Sequence, residues 1–433
     1  MSTPNNARKD SYLPDSSGII YSYVNKADWT AAFRFEVELD SEVDKETLNK
    51  AIEITRKRFP TFFVQVSPEG KLNKLHPNDT ELKVVDEGPD MLAAFTLKDE
   101  AHHLIRIGVN GKSAYVEVFH TVSDGHAALV FFNSLLICYY NLKGENIAYT
   151  GDSLDVNEAP KPEESRDSFL DIYKDGKTAS RIDKYSYQYA LGSEEVPLDV
   201  DVVSFDDGEI YQLAKKYNTS VSALLAATYI YSFYLTQKRH SVRPIRISIP
   251  VDLRKMFPSQ TLRNFSLYII VGIYPLKKKN WILEDIIKEV DKQFKEQITK
   301  ENMLSMAKAN VSSQSTAFFK ALPIPVKRKI LSFGYNYLGE QFFTSTISSF
   351  GRIKFPEGLS DHVKDCKFVL GKAMLSTINA TAISVNGRNN ITFSTKVACK
   401  DAQNMFVKIL RTMGVNVEHK VRNRKTQQYD IVD

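Results

Sequence analysis

The chain has 433 residues, of which 43% are hydrophobic and 25% charged, so it can bury a large core and is not a disordered protein. Its formal net charge of +5 is small for this length, and it gives no reason to expect a nucleic-acid partner. The three cysteines (Cys138, Cys366 and Cys399) are far apart and form no CxxC pair, which argues against a zinc ribbon or a disulfide framework.

Residues 1–15 contain no apolar segment of the kind that a signal peptide requires. The two most apolar runs, 125–141 and 221–235, are short for a bilayer span and include polar side chains. We therefore expect a soluble, cytoplasmic protein without a membrane span.

Two elements are predicted near the N-terminus. Residues 29–39 alternate apolar and polar side chains, which indicates a strand with one buried face. Residues 45–59 place apolar side chains at helical spacing, with Asp44 as a suitable N-cap and Pro60 as a stop.

A hairpin is predicted over residues 104–120, because Asn110-Gly111 between two alternating runs suits a type I′ turn. A buried helix follows over 125–142. Residues 145–168 then lack apolar periodicity, have an acidic bias and contain two prolines, as linkers do.

The second half of the chain again alternates helices and strands. The predicted elements are two helices over 209–234 broken at Asn218 with Thr219 or Ser220 as the second cap, a strand over 243–251, a helix over 282–298, late strands within 345–356, 368–387 and 390–397, an Asn386-Gly387 turn, and a helix over 401–413.

Several well-known site motifs do not occur in this sequence. There is no GxGxxG, Walker, GxSxG, HExxH or EF-hand pattern. The dinucleotide-binding, P-loop, hydrolase, zincin and calcium-site interpretations therefore lose their main support.

The segment 119–128, FHTVSDGHAA, is unusually polar for its place between a strand and an apolar helix. His120 ends the strand on the face of Val116 and Val118, where an imidazole is sheltered yet accessible from a cleft. Burial keeps such a ring neutral near pH 7, so His120 is a candidate general base. A histidine with a purely structural role is the alternative.

Asp124 is not necessarily the partner of His120, because the intervening loop can point the two side chains apart. A carboxylate at a helix N-terminus is stabilised by the helix dipole and by free N–H groups. Gly125 suggests a backbone angle that a side chain would forbid. A metal site made by His120, Asp124 and His126 lacks evident further ligands.

The segment HTVSDG resembles the HxxxDG motif of the chloramphenicol acetyltransferase-like superfamily. That superfamily includes CoA-dependent alcohol and amine acyltransferases and the condensation domains of peptide synthetases. Residues 249–265, IPVDLRKMFPSQTLRNF, are similar to its PVxLR…N segment. Residues 346–356, TISSFGRIKFP, resemble the SNxG segment of standalone alcohol acetyltransferases and the DFGWG of plant acyltransferases. With the early RFP and NTSVSALLAA segments, the resemblance covers nearly the whole chain.

This resemblance implies an α/β fold of two chloramphenicol acetyltransferase-like subdomains. Each subdomain would be a mixed β-sheet flanked by helices, and the active site would lie in a tunnel between them. We expect an N-terminal subdomain over 1–150 that carries the HxxxDG motif, a crossover linker over 151–195, and a C-terminal subdomain over 196–433.

The resemblance also implies roles for the motif residues. The superfamily's histidine takes the proton from an acceptor hydroxyl or amine, and His120 matches it. The superfamily's aspartate points away from the histidine and pairs with a distant arginine, so Asp124 and Arg254 are expected to form a structural ion pair. Gly125 and Asn264 match further motif positions and are expected to support the site.

Ser348, Ser349 and Gly351 match the strand that brings a polar residue to the channel. Either hydroxyl could therefore stabilise the oxyanion of the reaction. This sequence departs from the pattern, because Ser349 replaces the usual asparagine and the aspartate of DFGWG is absent. A serine- and threonine-rich edge strand without a catalytic role is the alternative.

The donor is inferred from another departure. Condensation domains usually carry two adjacent histidines, and here Phe119 replaces the first. The resemblance then implies a standalone acyltransferase that moves an acetyl or other short acyl group from acyl-CoA to an alcohol or amine, with no metal and no permanently bound cofactor. The alternatives are a free-standing condensation-type protein that uses carrier-protein thioesters, and a non-catalytic binding module.

Two basic runs, 277–279 and 327–329, could meet CoA phosphates or could be solvated surface. A third basic run is the near-terminal 420–425, KVRNRK. A solvated surface is the simpler interpretation of each, and it is the expectation for 420–425.

Overall fold

The computed structural model describes residues 11–24, 29–97, 102–173, 184–237, 241–315 and 321–432. These residues form a five-stranded sheet, an eight-stranded sheet and a two-stranded ribbon. Buried apolar side chains make two clusters, one against each large sheet.

The strands are β1 (Ala32–Leu39), β2 (Val64–Glu69), β3 (Leu72–Pro77), β4 (Val85–Asp86), β5 (Ile105–Asn110), β6 (Ser113–Phe119), β7 (Glu195–Asp206), β8 (Ile245–Asp252), β9 (Ser266–Ile273), β10 (Ser345–Arg352), β11 (Val363–Leu370), β12 (Ile378–Val385), β13 (Arg388–Val397), β14 (Glu418–Arg422) and β15 (Tyr429–Ile431). The helices are α1 (Tyr21–Val24), α2 (Lys45–Arg58), α3 (Gly125–Leu142), α4 (Ser168–Ile172), α5 (Asp207–Lys216), α6 (Val221–Thr236), α7 (Leu283–Gln297), α8 (Lys300–Ser315), α9 (Ile324–Leu338), α10 (Leu359–His362) and α11 (Asp401–Thr412). The elements predicted from the sequence pattern are present. The elements that were not predicted are strands β2, β3, β4, β7, β9, β14 and β15 and helices α1, α4, α8, α9 and α10.

The first sheet has the strand order β11-β1-β6-β5-β4. Strand β1 pairs antiparallel with β6 on one side and with β11 on the other. Because β11 comes from residues 363–370, the second half of the chain supplies an edge strand to the sheet of the first half. Membership of the sheets therefore does not follow the order of the chain.

The second sheet has the order β15-β14-β7-β13-β12-β10-β8-β9. Strand β10 runs parallel to both β8 and β12, whereas β12-β13 and β13-β7 are antiparallel. The first sheet also combines parallel and antiparallel pairs. The predicted architecture of two mixed sheets flanked by helices is confirmed.

The two predicted Asn-Gly turns differ in the structure. Between β12 and β13, Asn386 and Gly387 both have positive φ, 48° and 80°, as a type I′ turn requires. Between β5 and β6, Asn110 pairs with Ser113, so the central residues are 111 and 112. There only Gly111 has positive φ, 58°, which is the type II′ pattern. The type I′ prediction at Asn110-Gly111 is wrong because the ladder closes one residue later.

Helix α3 forms the centre of the first core. It is long and apolar enough to cross a membrane, but 78% of its 18-residue window is buried inside the protein. Phe131 of this helix stacks on Phe62 at 4.5 Å and meets the edge of Phe59 at 5.4 Å. Its apolar composition is therefore explained by packing within the protein.

The segment that connects the two halves is anchored by a buried ion pair. Arg58, at the end of α2, forms two hydrogen bonds of 2.6 and 2.7 Å with the carboxylate of Glu164. The backbone oxygen of Glu164 accepts a hydrogen bond from Leu262 N at 2.8 Å. The connection thus fixes the end of α2 beside the loop that follows β8.

The near-terminal basic run also has a structural role. Arg422 is 4% exposed, and its Nη2 donates to Glu87 Oε1 at 2.8 Å. Glu87 also binds Arg34 of β1. The expectation that 420–425 is a solvated run is wrong for Arg422, because β14 carries it against the outer face of the first sheet.

Candidate active site

His120 lies at the end of β6, in the turn that leads to α3. Its backbone N–H donates to Ala31 O at 2.9 Å. Its half-buried ring stacks on Tyr21 with centroids 4.9 Å apart and meets the edge of Phe33 at 5.2 Å. Two aromatic rings therefore fix the plane of the imidazole.

Asn264, in the loop between β8 and β9, forms a hydrogen bond with the imidazole ring of His120. Its Oδ1 lies 2.8 Å from His120 Nδ1, and its Nδ2 donates to the backbone oxygen of His120 at 3.0 Å. Because a carbonyl oxygen can only accept, Nδ2 must face it, and Oδ1 must accept from His120 Nδ1–H. The proton of neutral His120 is then on Nδ1, and Nε2 presents a lone pair.

Asp124 points away from His120 and binds Arg254, as the resemblance implied. The two side chains meet at 2.8 Å and are 5% and 8% exposed. Asp124 also caps α3 through Ala127 N at 3.2 Å and accepts from Phe265 N at 2.7 Å. Burial would raise the pKa of Asp124, but the Arg254 guanidinium and these N–H donors outweigh it and lower the pKa.

Arg254 also pairs with Asp252, at the end of β8, at 3.1 Å, and it uses its remaining donors on the loop that follows. Its Nη2 donates to Thr261 O at 2.9 Å and to Arg263 O at 2.7 Å. The ion pair therefore fixes the backbone on both sides of Leu262 and leads directly to Asn264. In this way Asp124 supports His120 indirectly, through the loop that carries Asn264.

Gly125 is required by a close contact and not by a special backbone angle. A Cβ at this position would lie 2.5 Å from Phe350 Cζ, and Gly125 is not among the described residues with positive φ. Phe350 of β10 also packs on Phe35 at 5.2 Å and on Phe368 at 4.8 Å. The backbone-angle prediction for Gly125 is wrong, because the side chain excluded here would strike the second subdomain.

Ser348 and Ser349 of β10 lie on opposite faces of the second sheet. Ser349 Oγ is 3.3 Å from Ser222 Oγ at the start of α6. Ser348 pairs with Thr381 in the parallel β12, and Thr381 donates to Phe368 O of β11. Side chains of paired residues share a face, so Ser348 lies on the face toward the first sheet and Ser349 on the face toward α6.

A cavity of about 520 Å³ adjoins β10 on the side of Ser349. Its lining combines apolar side chains, including Ile210 and Leu225, with the hydroxyls of Ser222 and Ser349. Gly351 lies at a bulge of β10 with φ 68°, which is a conformation that favours glycine. His120 is not among the residues that line this cavity.

The sequence analysis did not single out Asp15. This fully buried carboxylate accepts from Asn264 Nδ2 at 2.9 Å and from Asn264 N at 3.2 Å. It also accepts from Ser17 N and Gly18 N, an Asx turn that the DSSG sequence could have indicated. Its contact with Asn264 joins positions 249 residues apart and has no local signal.

Two lysines of the basic runs have partners within the protein. Lys278 pairs with Asp285 at 2.8 Å, and Lys327 is buried and donates to Lys71 O at 2.6 Å. Within the described ranges, no three His, Cys, Asp or Glu side chains are placed so that they could hold a metal ion.

We predict that Asp124→Asn lowers the free energy of unfolding by about 3 kcal/mol, because the buried Arg254 then keeps, among the described residues, only Asp252, at 3.1 Å, as a counter-charge. Asparagine still caps a helix, so the loss reports the contacts of Asp124 Oδ2 with Arg254 and with Phe265 N. Urea unfolding measures it, and the exposed Lys45–Asp86 pair is the control, with Asp86→Asn expected to cost less than about 1 kcal/mol. Equal losses in the two variants would contradict the assignment.

The same variant has a defined pH dependence. The lowered pKa of folded Asp124 stabilises the wild type fully above the unfolded value of about 3.9. That contribution is lost as the pH falls through the lower folded value. The stability difference between wild type and Asp124→Asn should therefore shrink in acid, and a difference that grows would exclude an ionised Asp124.

We predict that Gly125→Ala destabilises the protein by about 1–3 kcal/mol through overpacking, although alanine favours a helix. Phe350→Leu shortens the opposing side chain, so adding it should recover most of that loss. Chemical unfolding of the two single variants and the double variant gives the coupling free energy between positions 125 and 350. A Gly125→Ala cost that is the same in both backgrounds would show that Phe350 is not the obstacle.

No protein-family model and no curated protein matches this sequence. Solved structures do match. Polyketide synthase associated protein 5 from Mycobacterium tuberculosis is 13% identical, with a TM-score of 0.60 over 95% of this chain and 99% of its own. TRI101 from F. sporotrichioides, complexed with coenzyme A and T-2, is 10% identical, with a TM-score of 0.66 over 95% and 100%.

A third similar structure is the condensation domain of the Monacolin K polyketide synthase MokA. It is 10% identical, with a TM-score of 0.56 over 93% of this chain and 97% of that domain. Identities this low establish the fold alone. The chain has the fold of these structures, which is the two-lobed, chloramphenicol acetyltransferase-like fold that its motifs predicted.

Proposed function

We propose that this protein transfers an acyl group from acyl-CoA to the hydroxyl or amine of a small acceptor, with His120 as the general base. The observation that carries the proposal is the hydrogen bond of 2.8 Å between His120 Nδ1 and Asn264 Oδ1, which leaves the Nε2 lone pair for a substrate proton. Two structures of similar fold, TRI101 in complex with coenzyme A and the trichothecene 15-O-acetyltransferase TRI3, support the donor and the reaction class.

In the proposed reaction, the acceptor's O–H or N–H donates its proton to His120 Nε2 while the acceptor atom bonds to the thioester carbon. The carbonyl π electrons move to oxygen and give a tetrahedral oxyanion. Collapse of that intermediate breaks the carbon–sulfur bond, and the CoA thiolate takes the proton from Nε2. Nδ1–H stays bound to Asn264 throughout, so the imidazolium is stabilised and no acyl-enzyme forms.

Ser348 is the proposed oxyanion donor. It lies on the face of β10 toward the first sheet, and the next residue but one, Phe350, reaches Gly125 across the two subdomains. Ser349 belongs to the opposite face and is bonded to Ser222. Of the two candidate hydroxyls, that of Ser348 is on the face of β10 toward the first sheet, the sheet whose strand β6 leads to His120.

A condensation-type reaction with a carrier-protein thioester is the second candidate. It is favoured by the likeness to condensation domains and to peptide synthetase domains. The two candidates differ in whether a free CoA thioester is accepted. A screen of acyl-CoA lengths with alcohols and amines, beside matched acyl carrier proteins, separates them by the rate of thiol release from each donor.

We predict that His120→Ala lowers acceptor-dependent thiol release from acyl-CoA by about 10²–10⁴-fold, the usual contribution of a general base. The melting temperature should fall less than in Asp124→Asn, since the half-buried ring is held by a hydrogen bond and not by an ion pair. His126→Ala, at the second residue of α3, is the control and should retain activity. Full turnover by His120→Ala would refute the proposed function.

We predict that Ser348→Ala lowers kcat by about 10²–10³-fold, as loss of one oxyanion donor does in other enzymes. The matched variant Ser349→Ala removes the neighbouring hydroxyl on the other face and should leave kcat within a few fold. Steady-state kinetics with one donor and one acceptor test both. A larger effect at position 349 would place the oxyanion on the cavity side of β10.

A further inference from the structure

The N-terminal segment reaches the candidate site through Asp15. This side chain has no exposed surface. Its Oδ1 accepts from Ser17 N at 3.0 Å and Gly18 N at 2.6 Å, and its Oδ2 accepts from Asn264 N at 3.2 Å and Nδ2 at 2.9 Å. One carboxylate thus joins a turn of the N-terminal segment to the residue that holds His120.

The Asn264 side chain therefore has two acceptors on its Nδ2 side. These are the carboxylate of Asp15 and the backbone oxygen of His120. If the amide were turned over, Oδ1 would face both of them, and one carries a full negative charge. Two acceptor oxygens that face each other in the interior without a donor between them cost free energy. The charge of Asp15 therefore fixes which amide atom of Asn264 faces His120 Nδ1.

We propose that Asp15 is a positioning residue that locks the Asn264 amide and, through it, keeps the His120 proton on Nδ1. Its importance for turnover rests on the proposed function, in which Nε2 must be free to accept the substrate proton. A wrong tautomer would place a proton on Nε2 and remove the base, although the ring would not move.

The hydrogen bonds of Asp15 are those of a carboxylate, because four N–H donors face its two oxygens. Burial raises the pKa of Asp15, and the nearby Asp167 adds to the rise. Arg263, whose Nε lies 3.8 Å from Oδ2, and the N–H donors oppose the rise without cancelling it. Arg263 also donates to Leu13 O at 2.6 Å. The packing is close, since a Cβ on Gly18 would lie 2.9 Å from Asn264 Nδ2.

The test is the tautomer of His120, read by NMR of the full-length protein with ¹⁵N-labelled histidine and assigned with His120→Ala. The wild type should show a protonated, pyrrole-type Nδ1 and an unprotonated, pyridine-type Nε2. In Asp15→Asn, one oxygen cannot accept from both the 17–18 turn and Asn264. The side-chain NH₂ group introduced at position 15 then favours the turned-over amide of Asn264. An NMR signal from the His120 tautomer that carries its proton on Nε2 should therefore appear.

Asp167→Asn is the matched control. Asp167 Oδ2 accepts from Ser16 N and Oγ at 2.8 and 2.7 Å, so it anchors the same segment, but its carboxylate is not hydrogen-bonded to Asn264 within the described residues. This variant should keep the wild-type tautomer. In assays of thiol release, Asp15→Asn should lower kcat by about 10–100-fold, short of the loss of a general base, with KM for acyl-CoA nearly unchanged.

Asp15→Ser is the second variant if Asp15→Asn does not fold, because a serine still caps a turn but is too short to replace the contact with Asn264. A wild-type tautomer in the folded Asp15 variant would overturn the proposal, and so would an equal tautomer change in Asp167→Asn. A tautomer that depends on Asp15 in a protein that transfers no acyl group would support the lock and refute only the proposed function.

Discussion

The hydrogen bond between Asn264 and His120 is the contact on which the rest of the site depends. His120 ends a strand of the first sheet, and Asn264 belongs to a loop of the second, so the bond is also a junction between the subdomains. It determines which nitrogen of the imidazole can accept a proton. A shift of either subdomain by about 1 Å would weaken it, because hydrogen bonds tolerate little change in distance.

Two buried ion pairs and one close steric contact hold that junction in place. Asp124 and Arg254 supply a buried ion pair, Arg58 and Glu164 supply another at the base of the loop, and Phe350 fills the space that Gly125 leaves open. Buried pairs are poor sources of net stability but costly to break. They therefore favour a single arrangement of the two subdomains, which is what a fixed tautomer requires.

The sequence predicted the parts of this site that have fixed spacing. The alternation of β6, the cap at Asp124 and the match to HxxxDG led to His120, and the PVxLR…N match led to Arg254 and Asn264. The sequence could not show why Gly125 is a glycine, because its neighbour Phe350 lies 225 residues away in a strand whose packing depends on both sheets. Asp15 and Arg422 were missed for the same reason, since their partners come from distant segments and a single charged residue has no periodicity.

The most direct test of this account is neutron diffraction from crystals of the full-length protein at neutral pH, which locates the exchangeable hydrogen of His120. The account predicts a deuterium on Nδ1, directed at Asn264 Oδ1, and none on Nε2. A deuterium on Nε2 with a bare Nδ1 would contradict it, because His120 could not then take the proton of an acceptor.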